Sequence, residues 1–300
     1  MGRVLLLLCL LCLAGCGKGI EVDYTPRYVP QRPDAPAQKH YIFGILPQHN
    51  PRRLFRLYGP IIDLLNSRLT GVSFTVEASR SYEEYDKKLY GRHFDLALAN
   101  PYQTVNSIKH GYQVFGKMAD DQQFRGILLV RKDSRIHHVG DLRGQAVSFP
   151  ARTALAATMM PQQFLHDKGL PFHAYESRYV GSQESSIMNV YLGNTAAGAT
   201  WFPPWTAFQK DHPEEAAQLV LKWQTGALPN NGLVARDDFP PEILEQVSRA
   251  LFSLQDSQQG REILARLPVS AFESARPANY EPVRAFLVHF ARTVRPLEET

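Results

Sequence analysis

The sequence predicts an α/β protein of about two domains, built from mainly parallel sheets covered by helices on both faces. Three observations carry this. Short apolar runs of strand length alternate along the body of the chain with segments whose apolar residues recur at helical spacing. A length of 300 residues exceeds what one small core needs. With 44% apolar and 21% charged residues the composition is that of a folded chain, which excludes disorder and a collagen-like repeat.

Residues 41–46 form a short apolar run closed by Pro47, after which Leu54, Leu57, Ile61, Leu65 and Leu69 recur at helical spacing up to Gly71. That is strand, then helix. Pro60 lacks the amide proton a helix uses and is expected to kink this one or mark a restart. Residues 72–77 follow as a strand, and Ser81-Tyr82-Glu83-Glu84 has the S-x-x-E form of a capping box that opens a helix towards Tyr90. Residues 94–99 have the length and composition of a buried strand. Further strands are expected at 126–131, 146–149, 196–201, 219–223 and 232–235, with helices at 154–168 and 185–192. The remainder is helical, at 241–254, 259–267 and 280–292. No internal repeat or low-complexity block interrupts the series.

The amino-terminal residues stand apart from this pattern. Arg3 precedes an apolar run at 4–13, too short to span a bilayer core of roughly 30 Å as a helix, so it reads as an export signal. The run ends in Leu13-Ala14-Gly15-Cys16, which resembles the bacterial lipobox, where cleavage precedes a cysteine that is then diacylated. Residues 1–15 are thus expected to be a lipoprotein signal peptide. Residues 16–39, with Pro26, Pro30, Pro33 and Pro36, are expected to be an extended tether. Cys9, Cys12 and Cys16 are the only cysteines, so processing leaves no pair for an internal disulfide. The expected location is the periplasmic face of a bacterial membrane, inner or outer, held by lipid on Cys16.

Several function classes are disfavoured. The 33 basic and 29 acidic residues give a net +4 spread thinly along the chain, without the basic stripes of nucleic-acid binding. The sequence contains no G-x-S-x-G elbow, H-E-x-x-H, Walker loop or G-x-G-x-x-G. Its only adjacent histidines, His137 and His138, sit in a polar stretch before Asp141 that reads as solvated surface. No enzyme activity, cofactor or metal is expected.

In an open α/β sheet a ligand sits beyond the carboxyl ends of strands, against helix starts with unpaired amides. Such junctions fall at 46–48, 79–82, 100–102, 150–157 and 180–184. Ala154, Ala156 and Ala157 would let a ligand approach the backbone and Thr153 could add a hydroxyl, although alanines chosen for helix propensity explain the same stretch.

Two series of motifs run in register over most of the chain. The first comprises Phe43-Gly44-Ile45-Leu46-Pro47, Tyr58-Gly59-Pro60, Ser81-Tyr82 and Gly91-x-x-Phe94-Asp95-Leu96-Ala97. The second comprises Val130-Arg131-Lys132-Asp133-Ser134, Asp141-Leu142-Arg143-Gly144, Phe149-Pro150, Met160-Pro161, Leu228-Pro229-Asn230-Asn231 and Asn279-Tyr280-Glu281-Pro282-Val283-Arg284. In order and spacing these resemble the phosphate, phosphite and phosphonate substrate-binding proteins of ABC transporters. The resemblance implies a periplasmic-binding-protein type 2 fold, two α/β lobes joined by two crossover strands and closing as a hinge. Carried over, residues 126–131 and 231–235 become the crossovers, 40–127 with 232–300 lobe one, and 128–231 lobe two.

The implied function is capture of a small phosphate-, phosphite- or phosphonate-like anion by a monomer that presents it to an ABC permease. The alternative is a sensor on the same scaffold that signals to a membrane kinase. By the same resemblance Tyr82 is the tyrosine that hydrogen-bonds an oxyanion. Ala154-Leu155-Ala156-Ala157 stands where the family has Ser-Thr-Ser-Gly, leaving backbone amides as donors. Gln183 and Glu184 stand where the family often has His then an acid; Glu184 would receive an amine or a protonated oxygen, or else complement the helix dipole. Asn231 stands where several members carry an acid near the second crossover, or else serves the Pro-Asn-Asn-Gly turn. Asn100 and Tyr102 close the first lobe's lip, and Trp201 and Phe202 wall the cleft or pack the core.

The lipobox generates a direct test. Replacing Cys16 with Ser is expected to abolish lipid modification and move the exported protein from the membrane fraction to the soluble one; a Cys16→Ser protein that stays membrane-bound overturns the assignment.

Overall fold

The computed structural model describes residues 38–267 and 269–298, so the signal segment, Cys16 and nearly all of the tether lie outside the described residues. From Lys39 the chain alternates as its hydrophobic pattern requires. β1 (Lys39–Ile45) leads to α1 (Pro51–Arg68), β2 (Val72–Ala78), α2 (Tyr82–Tyr90), β3 (Leu96–Ala99), α3 (Pro101–Ser107) and β4 (Tyr112–Met118). It then crosses into a second group: β5 (Gly126–Arg131), β6 (Ala146–Phe149), a π-helical turn (Leu155–Met159) running into α4 (Met160–Asp167), β7 (Glu176–Tyr179), α5 (Gln183–Tyr191), β8 (Ala197–Trp201), α6 (Phe202–Asp211) and β9 (Leu219–Gln224). A second crossing returns it to β10 (Gly232–Arg236), α7 (Pro241–Phe252), α8 (Gln258–Leu264), β11 (Phe272–Ser274) and α9 (Glu281–Thr293).

Two sheets result, in the orders β11-β4-β10-β3-β1-β2 and β7-β6-β8-β5-β9. The α/β architecture with two lobes is as expected, and each chain crossing passes directly into one of the two segments assigned to the hinge, now β5 and β10. The sheets are mixed, however, where mainly parallel ones were expected. β2-β1-β3 and β7-β6-β8 are parallel, while β10 and β5 run antiparallel to both of their neighbours. The reason is mechanical. Parallel neighbours are joined by helical crossovers within a lobe, so their carboxyl ends all meet the cleft; a strand arriving from the other lobe starts at the cleft and must run away from it.

Asn50 caps α1 by accepting from the Arg53 amide at 3.0 Å, Pro51 opens the helix, and Leu54, Tyr58, Ile61, Ile62, Leu64 and Leu65 form its buried face. α1 continues through Pro60 as one helix of 18 residues and does not restart there. The carbonyl that Pro60 leaves without a helical donor belongs to Arg56, an exposed residue on the solvent side of the helix. In α2 the capping box is half made: Ser81 Oγ accepts from the Glu84 amide at 3.1 Å, but the Glu84 carboxylate reaches back to the amide and guanidinium of Arg80. Over β1, Gly44 leaves room for the ring of buried Phe94; a Cβ there would lie 2.5 Å from it.

Apolar packing also joins the lobes. Residues 154–157, Met159, Met160 and Trp201 belong to the same buried cluster as the first lobe's core, while two further clusters cover the faces of the second sheet. A closed ring of hydrogen bonds reinforces this seam. Asn100 Nδ2 donates to Thr153 O at 3.1 Å, Thr153 Oγ1 to Asp86 at 2.9 Å and Gln103 Nε2 to Asp86 at 2.6 Å, while Gln103 Oε1 accepts from the Asn100 amide at 2.9 Å. Beyond α9 the chain continues onto the second lobe, where buried Arg295 donates to Gln162 Oε1 at 3.1 Å and to Arg152 O at 2.8 Å.

Burial raises Asp86 from 3.8 to about 6, against the hydrogen bonds from Gln103 and Thr153. The folded state therefore holds this proton more tightly than the unfolded chain. Its contribution to stability is full below about pH 4 and is lost as pH rises through about 6. Accordingly, the melting temperature of Asp86→Asn minus that of the parent is expected to increase between pH 4 and pH 7; a difference that does not change with pH overturns this.

Candidate functional site

At the seam lies a narrow inner pocket of about 10 Å³ lined by Tyr82, Asn100, Ala154, Leu155, Ala156, Ala157, Gln183 and Asn231, all singled out from the sequence, together with Leu46, Phe124 and Trp201. Tyr82 and Gln183 hold equivalent places in the two lobes. Each is the first residue of the helix after the second parallel strand, preceded by a serine whose hydroxyl caps the helix: Ser81 in α2 and Ser182 in α5. The two side chains meet across the seam, Gln183 Nε2 donating to the Tyr82 hydroxyl at 3.1 Å.

Buried Thr200, on β8, fixes that contact. Its hydroxyl donates to Gln183 Oε1 at 2.8 Å, which sets the amide so that its NH₂ faces Tyr82. The Tyr82 oxygen accepts from Gln183 and its own proton is available to an acceptor in the pocket. Burial pushes the phenol up to about 12, so near neutral pH it remains a donor.

At residues 154–157 the second lobe offers backbone rather than side-chain donors. In the π-helical turn the first helical bond runs from the Met159 amide to Ala154 O at 3.3 Å, so the amides of Leu155, Ala156 and Ala157 have no acceptor within the helix. No side chain caps this start. Gly126 at the head of β5 lets the turn approach closely, since a Cβ there would come within 2.2 Å of Ala156 O. In the Pro-Asn-Asn-Gly segment the turn bonding falls to Asn230, which donates to Ala119 O at 2.7 Å and accepts from the Asn231 amide at 2.8 Å. The Asn231 side chain is thereby left for the pocket. Its Oδ1 is buried without a partner, and its Nδ2 has only the sulfur of Met118 at 3.5 Å.

Three of the residues singled out lie elsewhere. Thr153 turns its hydroxyl to Asp86 in the seam. Fully buried Tyr102 donates to Glu298 O at 3.1 Å, so it holds the segment that crosses to lobe two. Glu184 lines a second, outer chamber of about 200 Å³ and stands 3.5 Å from His212. That chamber meets the inner pocket at Gln183, which lines both. Trp201 lines the pocket, its ring 5.4 Å from that of Phe124, whereas Phe202 packs against a cluster of lobe two. Thr200 and Phe124 carried no signal in the sequence beyond their place near strand ends.

Comparison with known proteins fits this geometry. The family model described as "ABC transporter, phosphonate, periplasmic substrate-binding protein" matches residues 43–280. A curated relative, the probable ABC transporter phosphite binding protein PhnD1 of Prochlorococcus marinus (strain MIT 9301), is 22% identical over 195 residues, covering 60% of this chain. The match spans 64% of that relative's length. Among solved structures, a binding protein component of an ABC phosphonate transporter from Pseudomonas aeruginosa superposes with a TM-score of 0.78 at 16% identity, over 85% of this chain and 87% of the other. PhnD1 of Prochlorococcus marinus in complex with methylphosphonate gives 0.77 at 19% identity, over 85% and 99%. These two likenesses establish the two-lobed fold. With the family match running from β1 to the start of α9, the chain belongs to the periplasmic substrate-binding proteins of phosphonate ABC transporters.

Proposed function

We propose that this protein captures a small phosphorus oxyanion, a phosphonate, phosphite or phosphate, between its lobes and presents it to an ABC permease at the periplasmic face of the membrane, held there by lipid on Cys16. The observation that carries this reading is the Thr200–Gln183–Tyr82 relay, which places a phenol that stays protonated near neutral pH at the same pocket as the unpaired amides of residues 155–157. An oxyanion accepts from both. Charge-assisted bonds to such donors are about twice as strong as neutral ones, and a helix start adds its dipole. Asn231 supplies a further polar contact at the hinge side. No covalent step is required, and the protein acts by binding and release. With the lobes as they stand the pocket has room for about one water, so a head group enters as they part.

Selectivity would come from donors left unpaired by a wrong ligand. The apolar side chains of Leu155, Phe124 and Trp201 exclude water around the head group and strengthen each bond made there.

The direct bonding between lobes supports a second reading, in which the closed form signals to a membrane partner such as a sensor kinase. In that case scattering in solution shows the same radius of gyration with and without ligand, whereas a transport protein contracts on binding. The first test is calorimetry with methylphosphonate, phosphite and phosphate. Tyr82→Phe is expected to weaken the tightest of these by about tenfold or more, the value of one hydrogen bond to a charged group. Silence from all three overturns the proposed ligand class; unchanged affinity in Tyr82→Phe removes Tyr82 from the site.

A further inference from the structure

α9 buries Val283, Leu287 and Phe290 in the core of the first lobe, but the residues that follow it do not stay there. Arg295, only 5% exposed, reaches three groups at once: its Nε donates to Gln162 Oε1 at 3.1 Å, one terminal nitrogen to Arg152 O at 2.8 Å and the other to the Glu298 carboxylate at 3.0 Å. The same carboxylate pairs with the Arg152 guanidinium, which lies 5.1 Å over the ring of Tyr179. Gln162, Arg152 and Tyr179 all belong to lobe two. The segment nevertheless keeps its hold on lobe one, because the Tyr102 hydroxyl donates to Glu298 O at 3.1 Å and Leu297 packs against the first lobe's core.

The part of lobe two that is gripped leads straight into the unpaired amides of residues 155–157. Arg152 gives the segment its carbonyl and its guanidinium, and the next residue, Thr153, is bonded to Asn100 and Asp86 of lobe one. Within lobe two this loop has the Gly181 amide on Pro150 O at 2.9 Å and a turn bond from the Ala154 amide to Ala151 O at 3.3 Å. Its middle is therefore placed by lobe one and by residues 295–298. The grip is also reversible in its chemistry. Burial disfavours the charged form of Arg295, and a buried ion pair regains by attraction roughly what it loses in desolvation, so the complete set is held at little net gain over the same charges in water. Removing one member is different, because it strands the others.

We propose that residues 295–298 form a strap that fastens the loop at Arg152 and Thr153 to lobe one when the lobes are together and undocks when they part. None of Arg152, Gln162 and Tyr102 lines the inner pocket, so the strap biases closure without taking part in recognition. The proposal adds to the binding reading above and does not depend on which anion is bound.

The test is amide hydrogen exchange on the full chain without ligand, comparing Glu298→Ala with the parent. Peptides covering residues 152–159 and 82–86, which face each other across the seam, are expected to exchange about threefold faster or more, with β1 and β6 unchanged, since only the local opening is made easier. Glu298→Gln, which keeps the shape of the side chain, gives the same pattern and replaces the alanine variant if that one does not fold. Unchanged exchange at the seam, or an increase spread evenly over both lobes, overturns the strap. Calorimetry with phosphite and methylphosphonate supplies the second reading: a smaller closed fraction weakens both by one common factor and leaves their ratio as in the parent. A changed ratio shows that the segment takes part in recognition and overturns the proposal. Absence of binding by every phosphorus oxyanion overturns the ligand class proposed above, and the exchange result still decides the strap.

Discussion

The polarity of the strands is the constraint on which the rest of this structure depends. In each lobe three parallel strands, β2-β1-β3 and β7-β6-β8, end at the cleft, so the helices that follow begin there. Helix starts carry amides without acceptors and a partial positive charge. Two sets facing each other across a hinge form a cavity predisposed towards negative charge before any side chain is chosen. The antiparallel β5 and β10 complete the device, because a strand arriving from the opposite lobe has to begin where the others end.

Side chains then divide the cleft by charge. Around the inner pocket the donors are a phenol held protonated by burial, an amide fixed by Thr200 and the backbone of residues 155–157. Around the outer chamber the formal charges are engaged in pairs and the buried groups are neutral. In the seam, burial likewise raises Asp86, to about 6, against the hydrogen bonds it accepts from Gln103 and Thr153. The field that an anion meets is thus set mainly by fixed dipoles, which need little rearrangement when the lobes close.

Much of this was legible in the sequence where one residue type carries one physical meaning. Short apolar runs bounded by Pro or Gly gave β1, β5 and β6, and the serines before Tyr82 and Gln183 are caps because a hydroxyl there pairs an orphan amide. Elements lacking that one-to-one relation were not legible. All seven residues of α3 are buried, four of them polar, so it has no amphipathic stripe. β4 contains Gly116 and a buried Lys117 that is paired with Asp121, four residues on, and with Glu273 on the neighbouring strand β11. β7 is an edge strand reading Glu-Ser-Arg-Tyr, with no apolar alternation to announce it. Around the pocket, Tyr82 and Gln183 could be placed from their junctions and Asn231 from the family resemblance, but Thr200 enters only through a contact 17 residues away in sequence. Thr153 and Tyr102 sit at the right junctions and turn to Asp86 and Glu298 instead, a choice of rotamer and neighbour that spacing does not encode.

The segment from Arg295 to Glu298 gives the molecule a clasp at some remove from its guest. Arg295 is held by Gln162 and by the backbone of Arg152, and Glu298 O by Tyr102, so the same few residues touch both lobes. Any gape wide enough for release must first unfasten them. Residues remote from the pocket thereby help set the balance between lobes held together and lobes apart, while the groups that line the pocket are untouched.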